Sequence, residues 1–551
     1  MNRESNVRPI TEVAHGLGIR DEHLVAYGSD KAKVRLVART ASGREPGRLV
    51  LVSAITPTPA GEGKTTVSIG LAQGLAKIGK RTAIALREPS LGPTFGMKGG
   101  ATGGGKSIVV PTEDINLHFT GDFHAISTAN NMLAAMLDNH LHQGNALGID
   151  VRRVLWRRVV DLNDRALRNV VLGLGGAANG VPRESGFDIT PASEIMAALC
   201  LSEDEADLRK RLGRLIVALD NAGQPVTAGA LKAVGALMVL LKDAVMPNLV
   251  QTIEGVPAFI HGGPFANIAH GCNSILATKM ALAHADWVVT EAGFGSDLGA
   301  EKFLDIKCRY GGLDPAAMVL VATVRALKRH GGVADKKKFA EPDPEAVERG
   351  LPNLRKHVEN AGLYGLTPVV AINRFDTDSP EEIAVVERAC AAMGVPSALA
   401  DIFSRGGEGG RELATAVVEQ AGKKSSPYTP LYDWASPIPK KIERIATKVY
   451  GARSVSYAKP ATRDLELIDR LGYSGLPVCM AKTQSSLSDD AAKINRPMDF
   501  DVTVRSVVLA AGAGFVVPLL GEIIRMPGLP KVPQAERMDW VDGEVVGLLG
   551  G

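Results

Sequence analysis

Aromatic side chains are scarce, at 5% of the 551 residues, so two rings beside turn-rich segments stand out. Charge of one sign is scarce as well. Lys and Arg number 63 against 60 Asp and Glu, a net charge of +3, too small on this chain to favour nucleic acid or an acidic membrane surface. Long apolar runs are missing. The longest, Val507 to Gly521, is shorter than a bilayer requires and is broken by Gly512, Gly514 and Pro518. It reads as a buried strand with a turn. The first forty residues hold no basic segment leading into an apolar run, so no signal peptide is expected. Cysteine is sparse and dispersed: Cys200, Cys272, Cys308, Cys390 and Cys479 form no CxxC pair. That argues against a disulfide framework and a zinc site, and a reducing, cytoplasmic location is expected.

What is present fits a globular chain, with 45% hydrophobic and 22% charged residues. At about 150 residues per domain, three or four domains are expected. Short apolar runs recur at Leu49–Ile55, Thr82–Leu86, Val170–Leu174, Trp287–Thr290, Val319–Thr323, Pro368–Ile372 and Val478–Met480. Helical patterns lie between several of them, which predicts buried parallel strands in an α/β fold. Polar, Pro-containing stretches at Val333–Pro344 and Ala421–Pro430 suggest boundaries near 340 and 430. These divide the chain into 1–340, 341–430 and 431–551.

The strongest local pattern is Thr58-Pro59-Ala60-Gly61-Glu62-Gly63-Lys64-Thr65-Thr66. It follows the run Leu49–Ile55 and opens a helical pattern, Val67–Ile78, that ends at Gly79. Strand, glycine loop and helix in that order predict a P-loop for ATP, a variant because Thr58 stands at the first glycine position. Backbone N–H groups would face the phosphates, Lys64 would reach the β/γ oxygens, and the Thr65 hydroxyl would hold Mg²⁺. The next apolar run ends in Arg87-Glu88. In a doubly wound sheet these lie at the ligand crevice, and arginine suits bidentate phosphate recognition. Next comes Gly96-Met97-Lys98-Gly99-Gly100-Ala101-Thr102-Gly103-Gly104-Gly105. Glycine this dense, followed by Asp114, His118, Asp122 and His124, suits a loop whose backbone approaches a ligand. His261 to His270 has no zinc spacing. Glu291 ends another apolar run, where an acidic residue would serve magnesium or water. Phe375 and Phe403 both lie beside turn-rich segments and could clamp a flat ring. A partitioning or metal-insertion NTPase with a macromolecular partner shares the loop and the sheet, but needs neither the glycine block nor the rings.

Together these blocks resemble the formate–tetrahydrofolate ligase family. The resemblance runs from Pro9–Glu12 through Thr56–Thr66, Arg87–Gly105, Glu113–Ile126, Pro257–His270, Glu291–Phe303, Val321–Gly332, Asn373–Phe375 and Gly406–Gly410 to Gly512–Pro518 and Met526–Pro533. It implies a P-loop parallel-sheet domain with two smaller nucleotide-binding-like α/β domains, a homotetramer, Mg-ATP and activation by K⁺ or NH₄⁺. The substrates would be formate and tetrahydrofolate, with no nucleic acid or membrane partner. Matched residue by residue, Lys64 and Thr65 would hold ATP phosphates and Arg87 would hold formyl phosphate. Glu88 and Asp122 would lie close to it, Lys98 and Gly99 would contribute to the substrate site, and Phe375 and Phe403 would sandwich the pterin. The chain departs from the family pattern at Lys106 (an aromatic position), Phe403 (Trp), Ser485 (Tyr) and Met498 (Thr).

Overall fold

A computed structural model describes residues 7–59, 61–98 and 101–548. Ala60 and Gly99 therefore lie outside the described residues. A 12-stranded sheet carries the fold. Its strands are β1 Leu24–Ala26, β2 Ala32–Val34, β3 Arg48–Ala54, β4 Thr82–Leu86, β5 Gly103–Gly104, β6 Ser107–Val110, β7 Asn248–Thr252, β8 Pro257–Ile260, β9 Trp287–Glu291, β10 Pro315–Ala322, β11 Val369–Asn373 and β12 Ser397–Ala400. They are ordered β1-β2-β7-β8-β4-β9-β3-β10-β11-β12, and β6 and β5 branch off β7. From β8 to β12 every neighbour runs parallel. β1, β2 and β7 are antiparallel at one side.

The central strands are apolar without a break because both their faces are covered. Along β3, Leu49 and Leu51 enter one core while Val50, Val52 and Ala54 enter the other. β4 repeats this, with Ala83 and Ala85 on one side and Ile84 and Leu86 on the other. Each fully buried Leu, Ile or Val side chain contributes about 1.5–3 kcal/mol, so this layer fixes the sheet. Helix α1, Lys64–Lys77, buries Val67, Ile69, Leu71 and Leu75 against it. Helix α2, Pro344–Gly362, starts on an Asp343 cap with Pro at its first position and packs on the other face, where Leu354 joins Leu320, Ile372 and Val386. Strands β11 and β12 come from the stretch 341–430 and extend the same sheet.

Two of the apolar runs contribute no strand to this sheet. Val170–Leu172 pairs antiparallel with Arg183–Ser185 in a separate two-stranded ribbon, half-buried to exposed. A short apolar run carries no information about which layer it joins. Val478–Met480 is buried but makes only an isolated bridge from Val478 to Val516. The run at 507–521 is a hairpin, Ser506–Ala510 with Phe515–Leu519. In the stretch 431–551, Ser454–Tyr457 and Asp501–Val504 pair in parallel. No helix among the described residues is long and apolar enough to cross a membrane.

Candidate functional site

Ligands of open α/β sheets bind outside the carboxyl ends of the strands. Here the ends of β3, β9, β4, β10, β11 and β12 carry, in turn, the loop 56–63, Glu291, Arg87-Glu88, Thr323, Asn373-Arg374-Phe375 and Asp401-Ile402-Phe403. All the strand-end residues singled out in the sequence therefore fall on one edge of one sheet.

The loop between β3 and α1 is held from several sides. Its Gly63 has φ +69°, and a Cβ there would lie 2.6 Å from Asn373 Nδ2, so the position favours glycine. Glu62 is buried. Its carboxylate accepts from the Thr58 N–H at 2.6 Å and from the Thr323 hydroxyl, and its carbonyl accepts from Asn373 Nδ2 at 3.0 Å. Arg325 donates to the Gly61 carbonyl. The Thr56 N–H is bonded to His357 Nε2 at 2.9 Å. Burial pushes the His357 pKa down to about 4, so the ring is neutral and can accept. Lys64 and Thr65 begin α1, whose N-terminus carries the positive end of the helix dipole. Thr65 Oγ1 donates to Glu291 at 3.0 and 3.2 Å. Thr65 at the start of α1 is thus tied to the carboxyl end of β9.

Beside them, after β4, Arg87 donates to the Pro264 carbonyl at 3.4 Å, and its buried Nε has no partner. Glu88 is buried with Oε2 unpartnered. Burial, then the nearby Asp122 charge, pushes its pKa well above the usual carboxylate range. Asp122 is buried too, but is paired. Its Oδ1 accepts from Lys33 at 2.6 Å and its Oδ2 from Asn248 at 2.8 Å. His124 is exposed. His261 is buried between Ser274 Oγ and the Ala244 carbonyl, at 2.7 and 2.6 Å. Its pKa falls to about 4 through burial, which makes it a neutral structural ring.

The glycine block is not a free linker. The Ala101 N–H donates to Asn116 Oδ1 at 2.7 Å, and β5 folds back on β6. Lys98 closes the turn Thr94–Lys98. Lys106 is exposed at the block's end, and its N–H donates to the Phe403 carbonyl at 2.9 Å. The Phe403 ring lies over Gly104, where a Cβ would come within 3.0 Å of it, yet the residue is 61% exposed. Phe375 is half-buried. One of its faces is covered by the Arg325 guanidinium, 4.1 Å from the ring centroid. The two rings follow adjacent strands, in which Asn373 pairs with Ala400.

The sequence alone did not point to Lys33, Asn248 or His357, and it marked Thr323 and Arg325 only as members of the block Val321–Gly332, without a role. Lys33 sits in a strand between Ala32 and Val34, and a lysine flanked by buried apolar residues was the one available signal. Asn373, at the end of β11, buttresses the glycine loop.

No group of three or more His, Cys, Asp or Glu is placed to hold a metal among the described residues. Cavities of about 680 and 400 Å³ lie away from the strand ends. The first is lined by Arg309, Lys441 and Arg444, the second by Trp156, Glu194 and Leu467. No residue of the strand-end group lines either.

A large, mainly parallel sheet that gathers these groups along one edge defines a mixed α/β protein. The family model of formate–tetrahydrofolate ligase matches residues 1–549, and the chain belongs to that family. It is an ATP-dependent ligase of one-carbon metabolism that joins formate to tetrahydrofolate and forms 10-formyltetrahydrofolate.

Proposed function

We propose that the ligase works through formyl phosphate, with the loop 58–66 as a variant P-loop. A formate oxygen attacks the γ-phosphorus of ATP and ADP leaves. N10 of tetrahydrofolate then attacks the formyl carbon and phosphate leaves. Formate alone is a poor acyl donor because oxide is a bad leaving group, and phosphorylation removes that obstacle. The observation that carries this reading is adjacency. β9 sits between β3 and β4, so Glu291 stands between the Lys64–Thr65 loop and Arg87-Glu88.

In this reading the backbone of Thr58, Pro59, Ala60, Gly61, Glu62 and Gly63, with Lys64, Thr65 and Thr66, binds the ATP phosphates. Lys64 and Arg87 neutralise charge on the transferring phosphoryl group. Thr65 and Glu291 offer hard oxygens that fit Mg²⁺, which takes few protein ligands beside phosphates and water and would supply further charge neutralisation. Arg87 holds formyl phosphate, with Glu88 and Asp122 beside it. The proton lost from N10 goes to a base, for which Asp122 and His124 are the candidates. Phe375 and Phe403 sandwich the pterin, and Lys98 and Gly99 border the substrate. Activation by K⁺ or NH₄⁺ completes the reading and follows from the family alone. The division of labour is 1–340 for ATP and formyl phosphate, 341–430 for the folate rings and 431–551 as a third α/β unit, in a cytoplasmic homotetramer.

The test is ATP consumption and 10-formyltetrahydrofolate formation with each substrate omitted in turn, in wild type and in Arg87→Lys. Lysine cannot reproduce the planar fork. ADP plus carbamoyl phosphate should therefore yield far less ATP in the variant, and full activity there would reduce Arg87 to a structural role.

A further inference from the structure

The side chain that links the glycine loop to the ring site is Arg325, and the reaction as outlined gives it no task. It is the second residue of the helix Val324–His330, which begins on a Thr323 cap. Three contacts define its place. A terminal N–H donates to the Gly61 carbonyl. Its Nε lies 3.8 Å from Glu62 Oε2. The flat face of the guanidinium covers one face of Phe375 at 4.1 Å. A second link runs alongside, since Asn373, two residues before Phe375, donates to the Glu62 carbonyl at 3.0 Å. Gly61 and Glu62 belong to the loop that takes phosphate, and Phe375 to the ring site. Arginine suits this place because it can donate in its plane while stacking across it, which lysine cannot do.

We propose that Arg325 is a positioning residue that couples the nucleotide site to the folate site. The inference rests on the assignment of Phe375 to the pterin and of the loop to ATP. Phosphates filling the loop fix the Gly61 carbonyl and the Glu62 side chain. Those two groups hold the guanidinium, and the guanidinium holds the Phe375 ring at the angle a flat ligand needs. A loop without nucleotide holds the ring less firmly. Nucleotide should therefore tighten folate binding, and folate should tighten nucleotide binding by the same factor, as linkage requires. A guanidinium over an aromatic face is worth enough to make that factor roughly 3- to 30-fold.

The experiment measures the tetrahydrofolate Kd with and without a non-hydrolysable ATP analogue and Mg²⁺, in wild type, Arg325→Met, Arg325→Lys and Phe375→Leu. Wild type should show the tightening. Arg325→Met should bind each ligand singly but show a ratio within about twofold of one. Arg325→Lys should lie between, because it keeps a donor for Gly61 and loses the planar stack. A coupling ratio of one in wild type, or an unchanged ratio in Arg325→Met, overturns the proposal. If Arg325→Met does not fold, the Lys variant and Phe375→Leu decide it, since either must shrink the ratio. Failure of the underlying assignment looks different: Phe375→Leu would then leave the folate Kd itself unchanged.

Discussion

Truncating Phe403 to alanine separates a ligand-binding ring from a core ring, because the two roles predict opposite outcomes. The residue is 61% exposed, so most of its apolar surface is still in water when no ligand is bound. Fully burying a Phe side chain is worth about 1.5–3 kcal/mol, so covering the six tenths that is exposed gives roughly 1–2 kcal/mol. Stacking adds about 0.5–1.5 kcal/mol. Phe403→Ala should then weaken tetrahydrofolate by about 1.5–3 kcal/mol, or roughly 10- to 150-fold in Kd. ATP affinity should hold, because the loop is held by Thr58, Thr323, Arg325 and Asn373 and not by Phe403. The melting temperature should move little, since the ring rests on glycine backbone at Gly104 and leaves only a small void behind. Phe403→Trp should keep or improve folate affinity by restoring the larger ring of the family pattern. Calorimetric titration with tetrahydrofolate, beside a thermal melt of each variant, reads all of this. An unchanged folate Kd together with a large fall in melting temperature would refute the clamp.

Other consequences are simpler to state. Lys64→Ala should fold with a normal melting curve and lose at least about 10²-fold in ligase turnover; near wild-type turnover in the folded variant would remove Lys64 from the phosphate site. Lys106→Tyr, at an exposed position, should be tolerated in stability and activity, and loss of either in the purified variant would reveal a role for the ammonium. Glu194 is half-buried and accepts from the Gly512 and Ala513 N–H groups, at 2.7 and 3.2 Å; desolvation of its carboxyl raises its pKa to about 7. Its folded pKa is above the ordinary value of 4.5, so its contribution is full below that value and is lost as pH rises towards about 7. Glu194→Gln mimics the protonated acid, so its melting temperature should fall less than that of wild type between those pH values, and parallel melting curves would contradict the assignment.

The sequence made the strand ends of the candidate site more legible than the layers behind them. β3, β4, β9, β10 and β11 were readable as apolar runs because buried parallel strands need apolar residues on both faces. Arg87, Glu291, Phe375 and Phe403 were readable because they follow such runs or the turns beside them. The edge of the sheet was not, because β2 and β7 carry buried polar residues. Lys33 and Asn248 belong to a network around Asp122 whose partners lie far apart in sequence, and no local pattern announces such a network. Strand order escaped for the same reason. Nothing near residue 50 reveals that residues 287–291 insert between β3 and β4, yet this insertion places Glu291 against Thr65. The support of the glycine loop by Thr323, Arg325 and Asn373 is another long-range fact, visible only once β10 and β11 lie beside β3.

The central claim is that formate is phosphorylated before its carbon reaches N10, and labelled oxygen tests it directly. Formate carrying ¹⁸O in both positions is turned over with ATP and tetrahydrofolate, and the phosphate released is examined by mass spectrometry. The account predicts one ¹⁸O atom in each inorganic phosphate and one retained in each formyl group. Phosphate free of label, with 10-formyltetrahydrofolate formed at the normal rate, would contradict it.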